Sequence, residues 1–162
     1  MMEMTTERDA PQPADTAGRI RRGVRRHLYQ LGWSSLPEFT LATGRRADIF
    51  ALAPDGTAMI IEIKSGLADY RADAKWQEYR DFCDRFYFAI DANFPGEIIP
   101  ADCGLIVADA WGAEIVRESA GIRLAPARRK ALTLSFARLA ADRTLLIEDP
   151  GLPASLRAGR PI

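Results

Sequence analysis

The chain has 162 residues, 22 basic and 22 acidic side chains, and a formal net charge of zero. That length suits one domain around one core, and the balanced charge excludes a protein that coats phosphates with a uniformly basic surface, so nucleic-acid binding would need a local basic patch. One His and two Cys without CxxC spacing exclude a four-ligand zinc site, and no apolar run approaches the ~20 residues of a membrane span.

Cys83 and Cys103 read as free thiols in a reducing compartment. The first 16 residues are polar, carry Pro11 and Pro13 and lack a hydrophobic signal core. They read as a disordered leader, and a cytoplasmic protein is expected. Only Lys64, Lys75 and Lys130 are lysines, the other basic residues being arginines.

In chain order, residues 17–32 have helical periodicity. Ile20, Val24, Leu28 and Leu31 make one apolar stripe, with Asp15 or Thr16 as the cap and Gly32 at the end. Arginines occupy the remaining surface. A strand is expected at residues 38–42, then two stronger ones at 46–53 and 57–65. Their link, Ala53-Pro54-Asp55-Gly56-Thr57, suits a three-residue hairpin loop with Gly56 in a left-handed conformation. Residues 68–85 read as one charged helix carrying Trp76, Tyr79 and Phe82. Strands follow at 85–90 and 104–108, with a weaker one at 113–118. A last helix spans 126–141, with Leu132, Phe136 and Leu139 as its buried stripe. Residues 149–162 read as a loose tail. The order α-β-β-β-α-β-β-α implies a single α/β domain over residues 17–148, a mixed sheet flanked by helices.

The stretch Met59-Ile60-Ile61-Glu62-Ile63-Lys64 carries the chemistry. Alternation along a strand puts Glu62 and Lys64 on one face with Ile60, and Ile61 and Ile63 on the other. If the hairpin loop has three residues, Ala53 pairs with Thr57 and Asp48 falls opposite Glu62, the Cβ atoms about 5 Å apart. A two-residue Asp55-Gly56 turn would instead set Asp48 against Ile63, on the other face. Two carboxylates so close repel unless a cation lies between them. A hard divalent ion such as Mg²⁺ suits that donor set, with the Ile63 carbonyl as a further oxygen. Lys64 could then orient water or balance phosphoryl charge, which are parts suited to phosphodiester hydrolysis. The plainer alternative is a solvated strand face with a cross-strand ion pair. The apolar surroundings of Glu62, Lys64 and Asp48 argue for a central, covered strand pair instead.

Asp48, a short gap and then Glu62-Ile63-Lys64 resemble the D…(D/E)-X-K signature of the PD-(D/E)XK nucleases, with Ala47 where that signature has Pro. The longer pattern is more specific. Gly44-Arg45-Arg46-Ala47-Asp48, Glu62-Ile63-Lys64-Ser65, Asp69-Tyr70-Arg71-Ala72-Asp73, Lys75-Trp76, Tyr79 and Asp81-Phe82-Cys83-Asp84-Arg85-Phe86-Tyr87-Phe88 resemble the MmcB-like bacterial DNA repair proteins over residues 18–145. The resemblance implies a restriction-endonuclease-like core and a role in DNA damage repair and mutagenesis. Its implied cofactor is Mg²⁺ or Mn²⁺, held by Asp48, Glu62 and Ile63, with Glu38 either a water-mediated ligand or an ordinary exposed strand acid. Its implied partners are DNA and other repair or mutagenesis proteins, and a homodimer stays open. The Gln-x-x-x-Tyr motif of related nucleases is not intact, since Gln77 is followed by Asp81 at the fourth position, but Gln77, Asp73 or Lys75 could still face the site.

For DNA contact, Arg45 and Arg46 are candidate phosphate clamps near the acids, and Arg22, Arg25 and Arg26 offer a charged helix face. Pairing with local acids is the alternative for each. The reading is a metal-dependent DNA phosphodiesterase with Asp48, Glu62, Lys64 and Gln77 as its catalytic set. The alternatives are a catalytically inactive DNA-binding or adaptor subunit on the same fold, and an RNA-directed nuclease.

Overall fold

A computed structural model describes residues 13–157. Of the expected leader over 1–16, residues 1–12 lie outside the described residues and 13–16 are helical instead, while the last residues of the tail, 158–162, also lie outside the described residues. Helix α1 (Pro13–Gln30) starts four residues before the expected position, so Asp15 sits inside its first turn, where the helix dipole favours an acid, and not at the cap. Ile20, Val24 and Leu28 are buried as the stripe requires. Leu31 is not: it is 51% exposed because the helix has already ended. Gly32 at φ 82° closes α1 with a Schellman pair, Trp33 N–H to Leu28 O at 2.9 Å and Gly32 N–H to Tyr29 O at 3.0 Å, which turns Leu31 outward.

The strands are β1 (Ser34–Thr40), β2 (Arg46–Leu52), β3 (Ala58–Ile63), β4 (Arg85–Ile90), β5 (Gly104–Ala108) and β6 (Ala113–Arg117). Among the described residues they form one sheet in sequential order. β1-β2-β3 is an antiparallel meander, β3-β4-β5 is parallel, and β6 returns antiparallel on β5. The α/β class and the mixed sheet between helices are as the sequence implied. β1 begins earlier than expected: its edge position tolerates Pro37, and Glu38 sits at φ 52° within it. All six residues of β3 are buried, as befits a strand covered on both faces.

The expected single helix over 68–85 is instead two short pieces, α2 (Leu67–Ala72) and a 3₁₀ helix (Trp76–Phe82). Asp73 breaks it. Its Oδ1 accepts the Lys75 amide at 3.2 Å, a local turn that competes with the helical ladder, and its Oδ2 is drawn to Lys64. Helix α3 (Pro126–Glu148) is longer than expected. Only the start of its stripe is deeply covered, with Leu132 buried and Phe136 and Leu139 partly so. The expected loose tail holds a short helix, α4 (Ala154–Arg157).

Two cores result. Ile20, Val24 and Leu28 of α1 pack on Ile49, Ile61, Tyr87 and Ile106 on one face of the sheet. On the other, Trp76, Tyr79 and Leu132 cover Phe50, Ile60, Phe86 and Phe88. α1 lies so close to the β5–β6 turn that a Cβ on Gly23 would run into the Asp109 and Gly112 carbonyls. Both cysteines are free and buried, and among the described residues no helix is long and apolar enough to cross a membrane.

Asp84 ties the second layer together. Its carboxylate accepts the Ala58 amide at 2.7 Å, the Leu124 amide at 2.8 Å and a bidentate Arg129 guanidinium at 2.6 and 2.7 Å. Burial alone would raise this carboxyl, but Arg129 and the two amides outweigh it and hold it at about 2. Asp84→Ala strands those donors and is expected to cost about 3 kcal/mol of unfolding free energy, read from the urea midpoint. Because the folded pKa is depressed, the Asp84 contribution is complete above about pH 4 and is lost as pH falls through about 2. An acid titration in which wild type and Asp84→Ala keep a constant stability gap down to pH 2 would contradict this assignment.

Candidate functional site

The ladder between β2 and β3 runs from Leu52↔Ala58 to Ile49↔Ile61 and stops there. Gly56 adopts φ 82°, and the Ala53 amide donates to Thr57 O at 3.0 Å, so the hairpin loop has three residues and the two-residue alternative does not apply. One step beyond Ile49↔Ile61, the same register sets Asp48 against Glu62. There the strands exchange side-chain bonds. The Asp48 amide donates to Glu62 Oε1 at 3.2 Å, and the Ile63 amide donates to Asp48 Oδ2 at 2.8 Å. Each carboxylate gives an acceptor to the opposite strand where the ladder ends.

β3 continues onto β4 past this fork: the Lys64 amide donates to Ala89 O at 2.9 Å. That bond fixes Lys64 on the far side of Glu62 from the hairpin. Its ammonium is buried and ion-paired with Asp73 Oδ2 at 2.7 Å, with the Phe88 ring 6.0 Å away. Asp69 enters from the start of α2, where its Oδ2 accepts the Ser65 amide at 3.2 Å. Asp48, Glu62, Ile63, Lys64 and Asp69 line a cleft of about 340 Å³, closed from the other side by Ala17, Gly18 and Arg21 of α1.

The electrostatics follow from crowding three acids around two cations. Burial pushes the Glu62 carboxyl up to about 8, and the neighbouring Asp48 charge adds to the rise. Asp48 is also raised, first by burial, with Asp69 adding and the Ile63 amide and Lys64 opposing. The pair is thus held short of full ionisation, and a cation placed against both carboxylates would relieve the conflict.

The structure brings together Asp48, Glu62, Ile63 and Lys64 as the spacing implied, and Asp73 faces the site through Lys64. Other candidates lie elsewhere. Gln77 is exposed on the 3₁₀ helix and is not among the residues lining the cleft, because the break at Asp73 rotates that segment away. Glu38 occupies the register position across from Asp48, but its left-handed backbone carries it outward, and it stands exposed, 3.9 Å from Arg46. Arg45 is held by Glu78 at 2.6 Å and lies over the Tyr79 ring, and neither Arg45 nor Arg46 lines the cleft. Arg22, Arg25 and Arg26 lie along the outer face of α1, with Arg25 bonded to Ser35. Two cleft residues were not picked out from the sequence, Arg21 and Asp69. Asp69 had a signal in its i, i+4 spacing to Asp73, whereas Arg21 had none among its neighbouring arginines.

Among the described residues no three of His, Cys, Asp and Glu converge closely enough to hold a metal ion between them. Mg²⁺ does not demand that: it is commonly held by one or two carboxylates and keeps several waters. The buried, mutually repelling Asp48–Glu62 pair fits such an ion.

The chain is therefore an α/β protein with a carboxylate-lysine cleft at the fork of a mixed sheet. It belongs to the MmcB-like family, described as DNA repair protein MmcB-like, which matches residues 4–151. Among solved structures, a protein of unknown function from Silicibacter pomeroyi is similar, with 48% identity and a TM-score of 0.83 over 88% of this chain and 96% of that one. Comparison with curated proteins finds no match.

Because Glu62 binds its proton more tightly in the folded state, its contribution to stability in EDTA is complete below about pH 4.5 and is lost as pH rises through about 8. Glu62→Gln removes that decline, so at pH 9 the variant is expected to melt about 3 °C above wild type. Parallel melting curves for the two proteins across this window would refute the raised pKa.

Proposed function

We propose that this MmcB-like repair protein is a Mg²⁺- or Mn²⁺-dependent deoxyribonuclease of the PD-(D/E)XK type. The observation that carries the reading is the fork, where Asp48 and Glu62 each bond the opposite strand's amide and Lys64 follows Glu62 two residues on. Asp48, Glu62 and the Ile63 carbonyl would hold the ion, which when bound supplies Lewis acidity toward a phosphoryl oxygen. The fork keeps both carboxylates in place before any ligand arrives, so little ordering remains to be done at the moment of reaction. Lys64, clamped by Asp73, presents fixed positive charge toward a water or the developing phosphorane. Arg21 lies across the cleft and supplies a counter-charge to an incoming phosphate.

A second reading has its own support. The Lys64 charge is already balanced by Asp73, and neither Gln77 nor Glu38 reaches the cleft. A subunit that binds DNA on this scaffold without cutting it, and recruits other repair proteins, would look the same.

Calorimetric titration of Mg²⁺ and Mn²⁺ separates the two, run on wild type and on the Asp48→Asn/Glu62→Gln double variant. Metal binding that vanishes in the variant, with metal-dependent cleavage of damaged or branched DNA by wild type, is the expected outcome. Lys64→Ala should then keep metal binding and lose about 10²–10³-fold in cleavage rate. A folded wild type that binds no divalent ion, with or without DNA, leaves the DNA-binding subunit.

A further inference from the structure

We infer that the outer face of α1 is a track for single-stranded DNA that leads into the Asp48–Glu62 cleft. Its destination rests on the nuclease reading, but the track itself does not. A groove of about 870 Å³ runs along α1 from Asp15 to Gln30, lined by five arginines between Arg19 and Arg26. None of the five forms an ion pair among the described residues. In an otherwise balanced chain this is a local excess of positive charge, with Asp15 the one acid on its wall. The Arg25 guanidinium is pushed down by burial and then by the nearby Arg143 and Arg21 charges, so cations crowd one another along this stretch of the helix. Phosphates would supply the missing counter-charge.

The aromatic residues on the groove decide what kind of strand fits. Trp111 is 73% exposed and Tyr29 82%, unusual placements for such large rings. Trp111 is rigidly mounted. Asp109 Oδ1 accepts the Trp111 and Gly112 amides at 2.7 and 2.9 Å, and that turn is wedged against Gly23 of α1. The Arg26 guanidinium lies 5.3 Å from the Trp111 ring centre, holding the indole beside the charged row. A fixed, open indole next to phosphate-binding groups is a stacking platform. Base faces are free to stack only in a single strand, where each such contact strengthens binding without reading sequence. Duplex DNA would meet the arginines and leave the rings idle.

The groove and the acid cleft share two wall residues, Gly18 and Arg21, so the surfaces are continuous. From Gly18 to Gln30 the helix advances about 18 Å.

The test is fluorescence anisotropy of a labelled oligothymidylate with the full chain in EDTA, against a duplex of the same length. The expected result is tighter binding of the single strand and a log–log salt slope of about −3.5, at ~0.7 for each phosphate neutralised by the five arginines. Trp111→Ala, at an exposed position that folding does not need, should weaken single-strand binding about tenfold, and Trp111→Phe should restore most of it. Arg22→Ala/Arg26→Ala should weaken binding and flatten the slope by about 1.4. Equal or tighter duplex binding, tighter binding of oligouridylate, or undiminished affinity in Trp111→Ala would overturn the proposal. EDTA separates it from the nuclease reading. Single-strand binding without metal-dependent cutting keeps the track and removes the enzyme, and cutting of duplex without single-strand preference does the reverse.

Discussion

Where β2 and β3 part, the backbone bonds between them give way to a reciprocal pair of side-chain bonds. Asp48 takes the Ile63 amide and Glu62 takes the Asp48 amide. Both acids are thereby committed to the same few ångströms, in a place where β3 is covered on both faces. Neither can turn to solvent without releasing the opposite strand. The raised carboxyl pKa values follow, because burial and mutual repulsion act on groups the backbone will not let go. A site held this way is electrostatically costly, and a cation would relieve that cost.

The surroundings serve this fork. Lys64 reaches it because β3 pairs in parallel with β4 beyond the point where β2 has left, and the Phe88 ring and Asp73 then fix its ammonium. Asp73 has two roles: it breaks the helix that follows β3, and it clamps Lys64. The broken segment lays Trp76 and Tyr79 against Phe86 and Phe88, and so roofs that face of the sheet. Stability is anchored elsewhere, at Asp84, where an acid of opposite character is fully satisfied by Arg129 and two amides. One acid stabilises because its partners saturate it, whereas the fork acids repel because theirs do not.

α1 joins core to surface. Its apolar stripe seats it on the sheet, and the close approach at Gly23 locks it to the β5–β6 turn. That docking sets Arg21 over the cleft and carries Trp111 alongside the remaining arginines. On the proposed reading, a single helix both closes the acid site and guides the strand toward it.

The sequence by itself determined the α/β class and the strand positions from β2 onward, and it narrowed the partner of Asp48 to Glu62 or Ile63, between which the folded hairpin loop chose Glu62. These depend on short-range rules: period-two alternation, a Pro-Asp-Gly loop that leaves two registers, and a β3 segment too apolar to be half exposed. Where several residues of one type compete, or a local bond overrides periodicity, it could not decide. The helix expected over 68–85 is broken by one Asp side chain whose partner, Lys64, lies on a strand. Glu38 sits at the right register position yet leaves the site through a single left-handed backbone angle. Arg45 is neutralised by Glu78 more than thirty residues away, while Arg21, indistinguishable by sequence from its neighbours, is turned into the cleft by how α1 docks. Strand positions are written in the chain because alternation is counted residue by residue, and the register follows once the loop length is known. Which charged side chain meets which depends on helix docking and long-range partners, and those exist only in the folded protein.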